Sequence, residues 1–284
     1  MKKFLINGIE FDLYNKSYTM GILNITPDSF SDGGNYIETE EAIKRALKIV
    51  EEGADIIDIG AESSRPGCAP VSEEEELKRL IPVLEALKDK VKLPISIDTY
   101  KAKVAEEAIK RGATIINDIY GFKKDANMAK VVAETGVYCV LMHMRRDPNN
   151  MHENPHYNDV VEEVFEELKE SIAIAKNAGV KDDKIILDPG IGFAKDFNHN
   201  MELLKKLDKF IALGYPLLMG VSRKRFIGAI LDAEPNDRLE GSLAVASYIA
   251  TKVPSILRVH DVKETVKTLK VINSINGFKR DRKS

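Results

Sequence analysis

Along the chain, short apolar runs alternate with longer stretches in which apolar positions recur every three or four residues. The short runs are TMGILNI (19–25), DIIDIGA (55–61), PISIDT (94–99), TIINDI (114–119), VYCVLMH (137–143), KIILDP (184–189), PLLMGVS (216–222) and SILRVHD (255–261). They are nearly unbroken by polar residues, the pattern of strands covered on both faces. The longer stretches include EEAIKRALKIVEEG, EEEELKRLIPVLEALKDK, KAKVAEEAIKRG and DVVEEVFEELKESIAIAKNAG. Each lays its apolar residues on one helical face, and several close on a glycine suited to a left-handed cap. Ahead of the first strand, Phe4–Leu13 reads as a short hairpin turning at Asn7-Gly8.

Strands that alternate with helices pair in parallel through right-handed crossovers. Eight such units in a chain of 284 residues predict a closed (β/α)₈ barrel, an α/β TIM barrel with a short N-terminal β-hairpin. An open doubly wound sheet is the competing arrangement. It would normally carry a glycine-rich dinucleotide turn after its first strand, and neither GxGxxG nor GxxxxGK[ST] occurs. No Pro/Ser/Gly linker or charge block divides the chain, so residues 1–284 are read as one domain.

Composition narrows the partners. Hydrophobic residues make up 44% of the chain, ample for a large core, and 42 Lys and Arg against 45 Asp and Glu give a formal charge of −3. With no basic excess, a nucleic-acid partner is not expected. No segment approaches the ~20 apolar residues that span a bilayer, and Asn7, Glu10 and Asp12 break up the apolar start before it resembles an export signal. Cys68 and Cys139 are far apart and lack zinc spacing, as expected of free thiols in a reducing, cytoplasmic compartment.

In such a barrel the chemistry gathers at the C-terminal mouth. The polar residues there are Asn24, Asp58, Glu62, Asp98, Asn117, Asp118, His143, Asp188, Ser222, Lys224, Arg258 and His260. Any one of them alone is explained by contact with solvent. Together, carboxylates, an amide, a lysine and an arginine around one mouth suit a planar polar heterocycle, which offers both donors and acceptors. Residues two apart on a strand share a face, so Arg258 and His260 belong together. With Asn24 they could clasp an oxyanion or a metal-bound phosphate, and Arg65 could reach in from SSRPG. The ITPDSFSDGG stretch (25–34) and the RPG turn read as loops that close over a ligand. Asp58 and Asp118 are read as facing away and structural. His143 serves equally as a satisfied rim histidine or as a ligand contact, and the acidic run Glu73–Glu76 as a solvated helix start. His152 and His156 have zinc-like spacing, but Pro155 breaks the helix such a site would need.

In order along the chain, MGILNITPDSFSDGG, DIGAESSRPG, ISIDT, INDIYG, MHMR, ILDPGIGF, GVSRKRFIG and RVHDVKE resemble dihydropteroate synthases of folate biosynthesis. The resemblance runs nearly end to end. It implies a TIM barrel that joins 4-aminobenzoate to 7,8-dihydropterin pyrophosphate and releases pyrophosphate with Mg²⁺ present. It places the pterin on Asp98, Asn117, Asp188 and Lys224. The pyrophosphate falls to Asn24, Arg65, Arg258 and His260, with Asn24 at the Mg²⁺. The aminobenzoate, or a sulfonamide mimic, falls to Arg65, Pro66, Phe193, Lys224 and Arg225. Asp98, Asp188, Lys224 and Arg258 then carry the catalysis, and a homodimer is implied.

Ala61, Ser64, Arg146, Asp147, Ala194 and Asp196 depart from the commonest family pattern, all of them in loops or at the aminobenzoate rim. Two rivals differ in class. A pterin-binding methyltransferase of the same barrel type needs no pyrophosphate clasp, and a catalytically silent pterin-binding protein predicts damaged loops or clasp residues. Lys224 as a Schiff-base lysine fits poorly among the cations of SRKR.

Overall fold

The computed structural model describes residues 3–26, 35–62, 70–147, 150–151, 153 and 155–277. Ten strands run through them: β1 (Phe4–Ile6), β2 (Ile9–Phe11), β3 (Tyr18–Asn24), β4 (Ile56–Gly60), β5 (Ile95–Asp98), β6 (Ile115–Asp118), β7 (Tyr138–Met142), β8 (Ile185–Asp188), β9 (Leu217–Met219) and β10 (Ser255–Val259). β3 to β10 close into an eight-stranded parallel barrel in which β10 returns to β3, as the alternating pattern predicts. Apart from β3, each barrel strand is shorter than its apolar run, because the last residues of the run leave the ladder and start the loop. β9 is the shortest strand of the barrel, bracketed by Pro216 and Gly220.

The helices are α1 (Asn35–Glu51), α2 (Glu73–Leu87), α3 (Ala102–Lys110), α4 (Met128–Thr135), α5 (Val160–Asn177), α6 (Phe197–Lys205), α7 (Asp208–Ile211), α8 (Arg225–Leu231), α9 (Leu239–Lys252) and α10 (Val262–Ile275). Their apolar faces pack on the outward residues of the strands, among them Ile57, Ile59, Ile97, Ile116, Leu141, Leu187 and Leu257. Ser72 caps α2 by accepting from the Glu75 N–H, and Asp159 caps α5 by accepting from Val161 and Glu162. None of these helices is long and apolar enough to cross a membrane.

Inside the barrel, Met20, Ile56, Ile115, Val140, Ile186, Leu218 and Ile256 form a layer at the N-terminal end. Water would reach it, but the β1–β2 hairpin packs Phe4, Ile6, Phe11 and Leu13 beneath. Asn7 and Gly8 turn the hairpin with φ of 49° and 73°, as a two-residue turn with both central residues left-handed requires. Side chains alternate across a strand, so two positions further along the same faces stand Ile22, Asp58, Asn117, Met142, Asp188, Gly220 and Arg258. The interior therefore changes from apolar to charged within one layer.

Candidate active site

The charged layer centres on Arg258, which reaches in from β10. Its Nε donates to Asp58 Oδ2 and its Nη2 to Asp98 Oδ2, both at 2.6 Å. Asn117 Nδ2 donates to the same Asp58 oxygen at 3.4 Å. Asp58 is fully buried, so two carboxylates and one guanidinium are held together out of water. This corrects the reading of Asp58 as an outward structural residue: it lies on the inner face and grips Arg258. Asp118 does face outward, accepting from the backbone of Tyr120 and Phe122.

Asp188 ends β8. Its Oδ1 accepts from Gly190 N–H at 2.7 Å. Its Oδ2 lies on the side of Gly220, where an added Cβ would stand 4.0 Å away. Burial raises Asp188 to about 6, against the pull of the Gly190 N–H and the nearby cations. Burial raises Asp98 to about 7, with Arg258 opposing. Lys224 precedes α8 and lies over the Phe193 ring, Nζ 4.0 Å from its centre. Burial lowers it to about 8, with Asp188 holding it up. Asp98, Asn117, Asp188, Lys224 and Arg258 thus gather at the C-terminal end of the barrel, and strand parity anticipates the inward facing of the four that lie on strands.

Toward the solvent side, His260 stands just past β10, its Nδ1 and backbone N–H each 3.2 Å from Ser222 Oγ. Arg45 of α1 donates to His260 O at 3.1 Å. Asn24 ends β3. A Cβ on Gly60 would lie 3.7 Å from both Asn24 Oδ1 and Asp98 Oδ2, so this glycine keeps open the floor between two oxygen donors. Arg225 is exposed at the start of α8. Arg65, Pro66 and Cys68, the 27–34 part of the expected closing loop, and His152 lie outside the described residues.

A second charged group escapes sequence reasoning. Lys195 is buried and donates to His143 Nδ1, Gly190 O and Phe193 O. His143 Nε2 lies 3.0 Å from Glu167 Oε2, and Glu167 pairs with Arg145. His143 is therefore a fully partnered histidine. Burial and Lys195 hold it neutral, down to about 3, and burial lowers Lys195 to about 7. The signal lay in Gly190-x-Gly192-x-Ala194, three left-handed positions that curl the chain back over Lys195. Glu76 corrects another expectation. It is buried against Lys101, Nζ to Oε2 2.5 Å, rather than solvated, and Lys101 also pairs with Glu62.

Arg146 and Ala194 have φ of 64° and 48°. That explains why glycine would suit both positions, and these side chains accept left-handed backbone. Among the described residues no group of three His, Cys, Asp or Glu could hold a metal ion.

A parallel barrel closed at one end gathers carboxylate, amide, lysine and arginine groups at the other, a set that suits a planar polar heterocycle. The sequence matches the model of the pterin binding enzyme family over residues 20–260. It is 48% identical to the dihydropteroate synthase of Clostridium beijerinckii over 95% of this chain and 98% of that one. Among solved structures, the dihydropteroate synthase of Clostridium difficile, crystallised in the presence of pteroic acid, superposes with a TM-score of 0.88 at 46% identity, covering 93% of this chain and 98% of that one. That of Xanthomonas albilineans with 4-aminobenzoic acid gives 0.90 at 42%, covering 98% and 99%. The chain belongs to the dihydropteroate synthase family.

Proposed function

We infer that this protein condenses 6-hydroxymethyl-7,8-dihydropterin diphosphate with 4-aminobenzoate, forming 7,8-dihydropteroate and pyrophosphate in folate biosynthesis. The observation that carries the reading is the convergence of Asp98, Asn117, Asp188, Lys224 and Arg258 at one end of a barrel whose other end is closed. The pterin lies deep, its amino and ring N–H groups on Asp188 and Asp98, a ring nitrogen on Asn117 and its carbonyl on Lys224. A ligand lacking these partners would leave buried polar groups unpaired, which is why such a site discriminates strongly.

The diphosphate faces Arg258, His260 and Asn24, with Arg65 expected from the family resemblance alone. Mg²⁺ fits here, since it keeps several waters and needs only one or two protein oxygens, and Asn24 Oδ1 would offer one. When bound, it neutralises leaving-group charge. This chain's own residues do the rest. Arg258 and His260 draw on the diphosphate, and the departing group leaves a delocalised cation on the dihydropterin methylene. Asp98 and Asp188 stabilise that cation electrostatically. The aminobenzoate, bordered by Phe193, Lys224 and Arg225, with Arg65 and Pro66 expected from the family resemblance alone, presents an amine that is already unprotonated at neutral pH. Catalysis is then orientation and electrostatics, without a covalent intermediate.

A cytoplasmic location belongs to the same reading, supported by the free thiol of the buried Cys139. The protein is placed as a homodimer, with the exposed Ile230, Leu231, Tyr248, Val271 and Ile275 of the last three helices supplying apolar surface for the pairing. Labelled 4-aminobenzoate, dihydropterin diphosphate and Mg²⁺ test the reaction. Incorporation is expected. Absence of incorporation with pterin binding intact would turn the reading toward a methyltransferase or a silent pterin binder.

A further inference from the structure

Lys195 is 3% exposed, and an ammonium has three N–H bonds to place. The three acceptors are His143 Nδ1 at 2.9 Å, Gly190 O at 3.0 Å and Phe193 O at 2.9 Å. Because Nδ1 accepts, the His143 hydrogen sits on Nε2 and goes to Glu167. The tripod is complete, and it spans two loops at the barrel mouth.

The chain from Asp188 to Lys195 leaves the ladder and is left-handed at Gly190, Gly192 and Ala194, so it has no strand neighbour to hold its carbonyls. Besides the turn bond from Phe193 N–H to Gly190 O, two buried side chains take over that task. Asn200 accepts from Gly192 N–H at 2.7 Å, and Lys195 binds the carbonyls on either side. What the loop carries outward is the Phe193 ring, over which the Lys224 ammonium sits. A residue without an ammonium at 195 would strand the Phe193 carbonyl and an imidazole nitrogen, each costing ~1–3 kcal/mol in general, and would leave Gly190 O with its turn bond alone. The loop would relax toward water, taking the ring with it.

We propose that Lys195 is a positioning residue for the aromatic amine: by gripping Gly190 O and Phe193 O it fixes the Phe193 ring beneath Lys224, against which the aminobenzoate ring rests. This deepens the synthase reading and rests on it. The substrate it serves is the rim substrate alone, since Asp188 is placed by its own strand and by Gly190 N–H.

The test is a double-mutant cycle on the purified full-length enzyme with Lys195→Met and Phe193→Ala. Wild-type incorporation is measured first; its failure sinks the synthase reading and is distinct from anything the variants show. Lys195→Met is expected to raise the aminobenzoate KM about tenfold or more while the dihydropterin diphosphate KM stays within about threefold. On the Phe193→Ala background the same change should add less than about threefold, because the ring it acts through is gone. Lys195→Arg, which keeps charge and donors, should recover part of the loss. If Lys195→Met does not accumulate folded, Lys195→Gln, whose amide serves one carbonyl only, carries the same cycle. An unchanged aminobenzoate KM, an equal rise for both substrates, or effects that multiply in the double variant would overturn the proposal.

Discussion

Replacing Arg258 by Met keeps much of its apolar stem and removes the guanidinium that Asp58 and Asp98 share. At ~4 Å between charge centres and an effective dielectric of ~20, each pair is worth ~4 kcal/mol of Coulomb energy before hydration is counted. Returning the guanidinium to water offsets part of this, and losing one partner of a buried pair generally costs ~3–5 kcal/mol. Asp58 is fully buried and Asp98 is 13% exposed, so solvent compensates little. With a urea slope of ~3 kcal/mol per molar, the unfolding midpoint should fall by about 1–2 M. The pH dependence carries a sign. Asp98 holds its proton more tightly folded than unfolded, so its contribution to stability is full at low pH and is lost as pH rises through about 7. Arg258 is the charge that pulls Asp98 down, and its removal moves that window upward. Urea titrations of wild type and variant should therefore show a larger loss at about pH 8 than at about pH 6, where the carboxylates take up protons instead. A loss under about 1 kcal/mol, or one that is flat with pH, would mean that the triad is not the buried unit described.

Three more outcomes follow from the same site. Asp188 and Asp98, raised to about 6 and about 7, must be ionised to accept from the pterin, and Lys224, lowered to about 8, must be protonated to donate. The pH profile of kcat/KM should thus rise across the first two values and fall beyond the third, as apparent values of the whole cluster, and Lys224→Met should erase the upper limb and move the acid limb upward, since Lys224 is one of the charges that hold Asp188 down. A Cβ at Gly190 would overlap the His143 carbonyl at φ of 70°, so Gly190→Ala should cost about 2–5 kcal/mol in thermal or urea unfolding. Asn24→Ala should raise the Mg²⁺ concentration for half-maximal turnover by about tenfold or more, with metal-free pterin binding unaltered by calorimetry.

The barrel was legible because parallel strands and crossover helices write distinct periods, and the hairpin because Asn7-Gly8 names its turn. Asp98, Asn117, Asp188, Lys224 and Arg258 were legible only as a group: contact with solvent explains each alone, but not complementary charges and an amide at the ends of several runs that meet at one mouth. Asp58 was misread for the same cause that makes β4 easy to find: in IIDIG both faces are apolar, so no alternation says which face the aspartate takes. Glu76 was misread because its partner, Lys101, lies beyond a further strand. Lys195 was invisible because left-handed backbone, not side-chain pattern, turns it inward.

The apolar hairpin under the barrel turns the cavity into a cul-de-sac. Whatever rests deepest has to enter before its neighbour at the rim, and the neighbour then bars its way out. On the proposed placement of the two substrates, loading in that order makes the pterin the first guest and the aromatic amine the second. A molecule that mimics the amine meets a finished berth only after the heterocycle has docked, and the joined product must back out whole through the door by which its two halves came in.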